Sequence, residues 1–166
     1  MIRRTLLRLA SLPWLAPAAQ AAADQPKGPV VLSVSGKPGE SARGKPALFD
    51  MAMLERLPQT SFSTPTPWYA QPRKFTGPLL REVLAVAGAR GSLVRAVALN
   101  DYRVDIPFDD VQRYEVLLAR LLDDKPMPVR DRGPLFIIYP FHQHASLRNP
   151  LYFSRCAWQL KAIEVS

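Results

Sequence analysis

Apolar residues recur along this chain mostly with a period of two, less often with a period of three to four, which predicts many short strands and few helices. Val30–Val34 is a β-branched run that stops at the turn signal Ser35-Gly36-Lys37-Pro38-Gly39, so it reads as the first strand. Gly44–Phe49 reads as extended chain or loop. Asp50 is placed to cap a short helix, Met51–Leu57, which Pro58 ends; Met51, Leu54 and Leu57 would face the core. Gln59–Thr64 alternates as a second strand. Pro65, Pro67 and Pro72 then stiffen a loop around Trp68 and Tyr69, which would either wall a pocket or cover the core. The clearest helical pattern is Gly77–Gly88. There Gly77 serves as N-cap, Pro78 suits the first position, Leu79, Leu80, Val83, Leu84 and Ala87 share a face, and Gly88 is the stop.

Val94–Leu99 and Tyr102–Ile106 alternate on either side of Asn100-Asp101, the pattern of a hairpin that Pro107 ends. Phe108–Tyr114 reads as one or two helical turns with Asp109 and Asp110 near the positive end. Val116–Leu122 is a further strand turned at Asp123-Asp124, Leu135–Tyr139 another, and Tyr152–Val165 a long final strand with one bend. The pattern is that of a mixed α+β, β-rich single domain, with no internal repeat or low-complexity tract.

The first residues stand apart. Arg3, Arg4 and Arg8 precede or punctuate an apolar run, Leu6–Ala19, that Pro13 and Pro17 break. Ala19-Gln20-Ala21 and Ala21-Ala22-Ala23 both fit a small-residue cleavage site. The run is too short and proline-broken for a membrane-spanning helix. Residues 1–23 are therefore expected to be a signal peptide, 24–29 a polar leader and 30–166 the domain, which makes the mature chain periplasmic with no transmembrane segment. Ile2–Leu7 also resembles a twin-arginine export signal.

Without residues 1–23, 143 of the 166 residues remain, enough for one domain with its own core. Losing the three leader arginines lowers the formal charge from +8 to +5. The surplus is scattered, with no basic helix or nucleic-acid motif, so it suits a small anion or an envelope protein partner better than nucleic acid. Cys156 is the only cysteine, which excludes an internal disulfide, and with only His142 and His144 beside it a structural zinc site has too few ligands.

The stretch Lys125–Phe141 holds the most chemistry. Arg130, Asp131 and Arg132 sit on a Gly133-Pro134 turn just before the apolar strand at Leu135, where a scaffold would fix charge at a site edge. Asn100-Asp101-Tyr102 would present an amide, a carboxylate and a phenol at a hairpin tip. Asp109-Asp110 and Asp123-Asp124 are better explained by helix ends and turns than by acid–base work. In an apolar strand Cys156 would be a small buried thiol.

Four segments together resemble the oxidoreductase molybdopterin-binding domain, the sulfite-oxidase-type fold. Phe75-Thr76-Gly77-Pro78-Leu79-Leu80 with Leu84 and Gly88 resembles that family's W-x-G-v-p-L segment, and Asn100-Asp101-Tyr102 resembles its D-G-Y turn. Lys125–Pro128 through Gly133-Pro134-Leu135, Ile138 and Pro140 resembles its H-G-x-P-L-R run. Trp158 with Ile163-Glu164-Val165 resembles its closing strand. The resemblance implies a molybdopterin cofactor whose metal takes a cysteine thiolate after an early strand. Here that region is Thr60–Thr64, without cysteine. The family's histidine before the glycine is Arg132, and its arginine after the P-L pair is Phe136. Hydroxyl is a poor substitute for thiolate at a soft metal.

These departures imply a relative without standard molybdenum catalysis. It would bind a small anionic ligand or a partner protein in the cofactor-type cleft, with Thr64, Trp68, Asn100, Asp101, Tyr102, Arg130 and Arg132 at its edge. The alternatives are a molybdopterin oxidoreductase with a non-cysteine metal ligand, and an envelope interaction domain that uses the Trp68-Tyr69 loop.

Overall fold

The computed structural model describes residues 25–36 and 45–166. The expected leader, residues 1–23, and the Lys37–Gly39 part of the first turn lie outside them. Eleven strands and four short helices follow one another: β1 (Val30–Ser35), β2 (Ala47–Asp50), α1 (Met51–Arg56), β3 (Gln59–Thr64), β4 (Arg73–Pro78), α2 (Leu80–Ala87), β5 (Leu93–Ala98), β6 (Arg103–Pro107), α3 (Phe108–Arg113), β7 (Leu117–Ala119), β8 (Leu121–Leu122), β9 (Lys125–Pro126), β10 (Phe136–Ile138), α4 (Pro150–Arg155) and β11 (Leu160–Val165).

They form a five-stranded sheet in the order β2-β1-β11-β5-β6, a four-stranded sheet β3-β4-β8-β9, and the pair β10-β7. Among the described residues, only β1 and β11 pair in parallel; the other pairings are antiparallel. The core lies between the sheets, and its largest fully buried side chains include Tyr139, Phe49, Phe75, Phe136 and Phe141. The chain is mixed α+β and rich in strand.

Local chemistry explains several boundaries. Asp50 caps α1 by accepting from Met53 N at 2.8 Å, and its second carboxylate oxygen accepts from the N–H groups of Lys27 and Gly28, both at 2.8 Å. In β5, Val94, Ala96 and Ala98 face the core. Arg95 points outward, directly opposite Asp105 of β6, and their side chains meet at 2.7 Å. The hairpin turns at Asp101, which adopts φ 64 and donates its N–H to Ala98 O at 3.0 Å.

Three sequence expectations are corrected. Gly77 and Pro78 end β4 rather than opening the helix, which starts at Leu80 with Leu79 as N-cap. The cause is tertiary: a Cβ on Gly77 would lie 2.0 Å from Leu118 O, so the glycine is needed for close passage of two backbones. Helix α2 does end where expected, at Gly88 in the left-handed conformation (φ 67).

Val116–Leu122 is not one strand. It breaks at Arg120, so that β7 pairs with β10 while β8 pairs with β4.

Nor is Tyr152–Val165 one strand. Its first four residues complete α4, whose N-cap Asn149 accepts from Leu151 N at 3.0 Å and whose first residue is Pro150. That Asn-Pro helix start is written in the sequence and was overridden there by the apolar run that follows.

Candidate functional site

A cleft of about 450 Å³ opens where β5, the tip of the β5–β6 hairpin, α4 and the Trp68 loop converge. Its size falls in the range of small-molecule sites. Trp68, Tyr102, Phe153 and Trp158 supply aromatic walls, Asn100 and Ser154 the polar groups, and Ala98, Cys156 and Ala157 complete the lining.

Each wall has a rigid support. Trp68 sits 5.5 Å from Trp158, 5.7 Å from Phe136 and 6.2 Å from Phe153, ring centre to ring centre. The proline-stiffened loop therefore both covers the core and walls the cleft. Phe153 is further held against Phe141 at 5.0 Å. Trp158 is fixed by a bridge to Phe136 and by the flanking bonds Ile137 N to Ala157 O (2.8 Å) and Leu160 N to Leu135 O (3.1 Å).

The polar groups are partly uncommitted. The Asn100 side-chain oxygen accepts from Tyr102 N at 3.2 Å in a local turn, leaving its amide N–H groups without a partner among the described residues. Ser154 donates to Leu151 O at 2.7 Å, so its oxygen remains free to accept.

Arg132 lies outside the lining itself and packs on one of its walls, Trp158. It follows a 3-10 turn at Val129–Asp131 and adopts φ 71. Its guanidinium carbon lies 5.6 Å from the Trp158 ring centre and 5.0 Å from that of Tyr69. The loop beneath it is tied down: Gln159 N donates to Arg132 O at 3.1 Å, the Gln159 amide to Val129 O at 2.7 Å, and Gly133 N to Pro128 O at 2.9 Å. Gly133 has no room for a side chain, since a Cβ there would sit 1.8 Å from Met127 O.

The structure brings together Trp68, Asn100 and Tyr102 in the lining, with Arg132 over Trp158. It places the other named residues elsewhere. Arg130 points into solvent with a side chain 86% exposed and lies 3.6 Å from Asp131. Asp101 is exposed and pairs with Lys161 at 2.7 Å. Thr64 is fully buried, and its hydroxyl accepts from His142 N at 2.9 Å. The part of the cleft that the sequence does not mark is Phe153, Ser154, Cys156 and Ala157, on and beyond α4, where a strand reading hides their shared face.

The remaining titratable groups are structural. Burial pushes the Cys156 thiol up to about 12, so it stays protonated at neutral pH. Burial lowers His142, whose ring rests 4.9 Å from Phe62, while His144 packs 5.2 Å from Tyr114. Burial and the Asp110 carboxylate raise the Tyr139 phenol far above its usual range, so it is a permanent donor to Asp110.

This arrangement of sheets is the sulfite-oxidase-type fold. The crystal structure of the sulfane dehydrogenase SoxCD from Paracoccus pantotrophus is similar to it with a TM-score of 0.60 at 17% sequence identity, over 81% of this chain and 37% of that one. The likeness is one of fold, and the chain spans well under half of that protein. No protein-family model matches the sequence, and no curated protein does either.

The residues present do not suit the molybdenum cofactor that the resemblance implies. The only thiol is a neutral, buried one. The Thr64 hydroxyl is fully buried and engaged with His142 N. No group of three His, Cys, Asp or Glu side chains converges among the described residues.

Proposed function

We propose that this chain is a periplasmic ligand-binding domain that keeps the sulfite-oxidase-type fold without standard molybdenum redox catalysis, and that its ligand is a small anion-bearing molecule held in the cleft. One observation carries this reading: a preformed cleft of about 450 Å³ with rigid aromatic walls, two partly uncommitted polar side chains and an arginine packed on its Trp158 wall. The basic, proline-broken apolar leader supports export. The absence of a cysteine from Thr60–Thr64, with Arg132 and Phe136 where the family has histidine and arginine, supports loss of the metal chemistry.

The test is elemental analysis for molybdenum together with fluorescence of oxidised pterin, on mature protein taken from its own cell envelope. The expected result is neither at stoichiometric level. Near-stoichiometric metal and pterin would replace this reading with an oxidoreductase.

A further inference from the structure

Arg132 differs from several other arginines among the described residues. Arg73 also lies over the Tyr69 ring, at 4.9 Å, but its charge is met by Asp123 at 2.5 Å. Arg95, Arg120 and Arg155 are likewise paired with carboxylates. Among the described residues no carboxylate pairs with Arg132, whose contacts are the Tyr69 and Trp158 rings. A guanidinium that rests on aromatic rings keeps its N–H edge available for in-plane, bidentate capture of an oxyanion. Its backbone is also locked, by Gln159 on one side and by the Gly133–Met127 approach on the other, so little order remains to be lost on binding.

Beside that arginine the cleft offers aromatic surface from Trp68, Trp158, Phe153 and Tyr102, with polar groups from Asn100, Ser154 and the Tyr102 hydroxyl. Aromatic walls of this kind favour stacking or edge contact with a ring. A bare inorganic anion would leave them uncovered, and a neutral ring would leave Arg132 unused.

We infer that the cleft takes a planar aromatic carboxylate, its rings among Trp68, Trp158 and Phe153 and its carboxylate on the free edge of Arg132. This rests on the reading of the cleft as a ligand site and names its ligand class. The probes are 2-naphthoate, the neutral 2-naphthalenemethanol and acetate, titrated into the mature protein by calorimetry and by tryptophan fluorescence. Naphthoate should bind about tenfold or more tighter than the alcohol, the size expected of a charged hydrogen-bonded pair, and acetate should not register. Arg132→Ala should erase the difference between naphthoate and the alcohol, and Arg132→Lys should restore part of it. Ser154→Trp, which fills the cleft from an exposed position, should abolish both.

Equal affinity for naphthoate and the alcohol, or a preference that survives Arg132→Ala, overturns the inference. A non-aromatic ligand from a broad fragment set that is lost in Ser154→Trp would overturn the ligand class and leave the cleft as a binding site. A cleft that takes nothing from that set, naphthoate included, would overturn both.

Discussion

The guanidinium of Arg155 meets the Asp110 carboxylate at 2.6 Å, and the same oxygen accepts from the Tyr139 hydroxyl at 2.8 Å. Both charged side chains are largely buried, with 17% and 12% exposure. The triad joins α4 to α3 and to the residue that follows β10, and so fixes the helix that carries Phe153 and Ser154 into the cleft wall. Removing one partner from such a pair leaves a buried charge unmet. Asp110→Ala is expected to destabilise the fold by about 3 kcal/mol, and Tyr139→Phe by about 1 kcal/mol. Denaturant unfolding of the two variants measures both; a loss from Asp110→Ala no larger than that from Tyr139→Phe would refute a buried pair.

Gly77 and Gly133 each face a carbonyl across a gap that admits no side chain, Leu118 O and Met127 O. Gly77→Ala acts inside the β4–β7 packing and should cost about 2 kcal/mol or more, read as a lowered denaturation midpoint. Gly133→Ala displaces the loop that holds Arg132. Its larger effect should appear in ligand affinity, measured by titration beside the wild type. Both variants behaving as wild type would mean that the backbones yield freely at these crossings.

Cys156 is expected to be inert. With its thiol buried and pushed up to about 12, native protein at pH 8 should react with a thiol reagent only as fast as it unfolds, and fully once denatured. Fast labelling of the native state would place the sulfur in reach of solvent through the cleft.

Acid should weaken the fold through a few aspartates. Gly28 N–H and Met53 N–H hold Asp50 below its ordinary value of 3.8. The Arg95 side chain does the same for Asp105, and Lys74 N–H for Asp123. Because these folded-state values are depressed, the carboxylates bind fewer protons folded than unfolded. Their stabilisation is complete above the ordinary carboxylate range and is lost as pH falls below about 4 toward the folded values. Melting temperatures followed from pH 7 to pH 2.5 should stay level and then drop below that point, and Asp50→Asn should flatten part of the drop. A decline centred well above that range would point to His142 instead.

Much of the fold was legible because local rules and tertiary packing agreed. The cap at Asp50, the strand Gln59–Thr64, the Asn100-Asp101 turn and the Gly88 stop all follow from short-range preferences that the core leaves undisturbed. The failures fall where the two disagree. Pro78 suits a helix start, yet Gly77 is required at a strand crossing by the Leu118 backbone, a constraint from forty-one residues away in sequence. The apolar run from Tyr152 looks like strand, yet Asn149 and Pro150 start a helix there.

The same division holds for the site. The sequence alone determined the residue types: the tryptophans, the Asn100-Asp101-Tyr102 tip, the arginines on the Gly-Pro turn, and the lack of cysteine in the early strand. Only the tertiary structure decided which of them meet. Arg132 turns back over Trp158 while Arg130, two positions earlier, points into solvent. Thr64 is spent on a backbone N–H, and Asp101 on Lys161. A left-handed residue and a few long-range hydrogen bonds set those directions. Such contacts are made by segments far apart in the chain, and no local pattern records them.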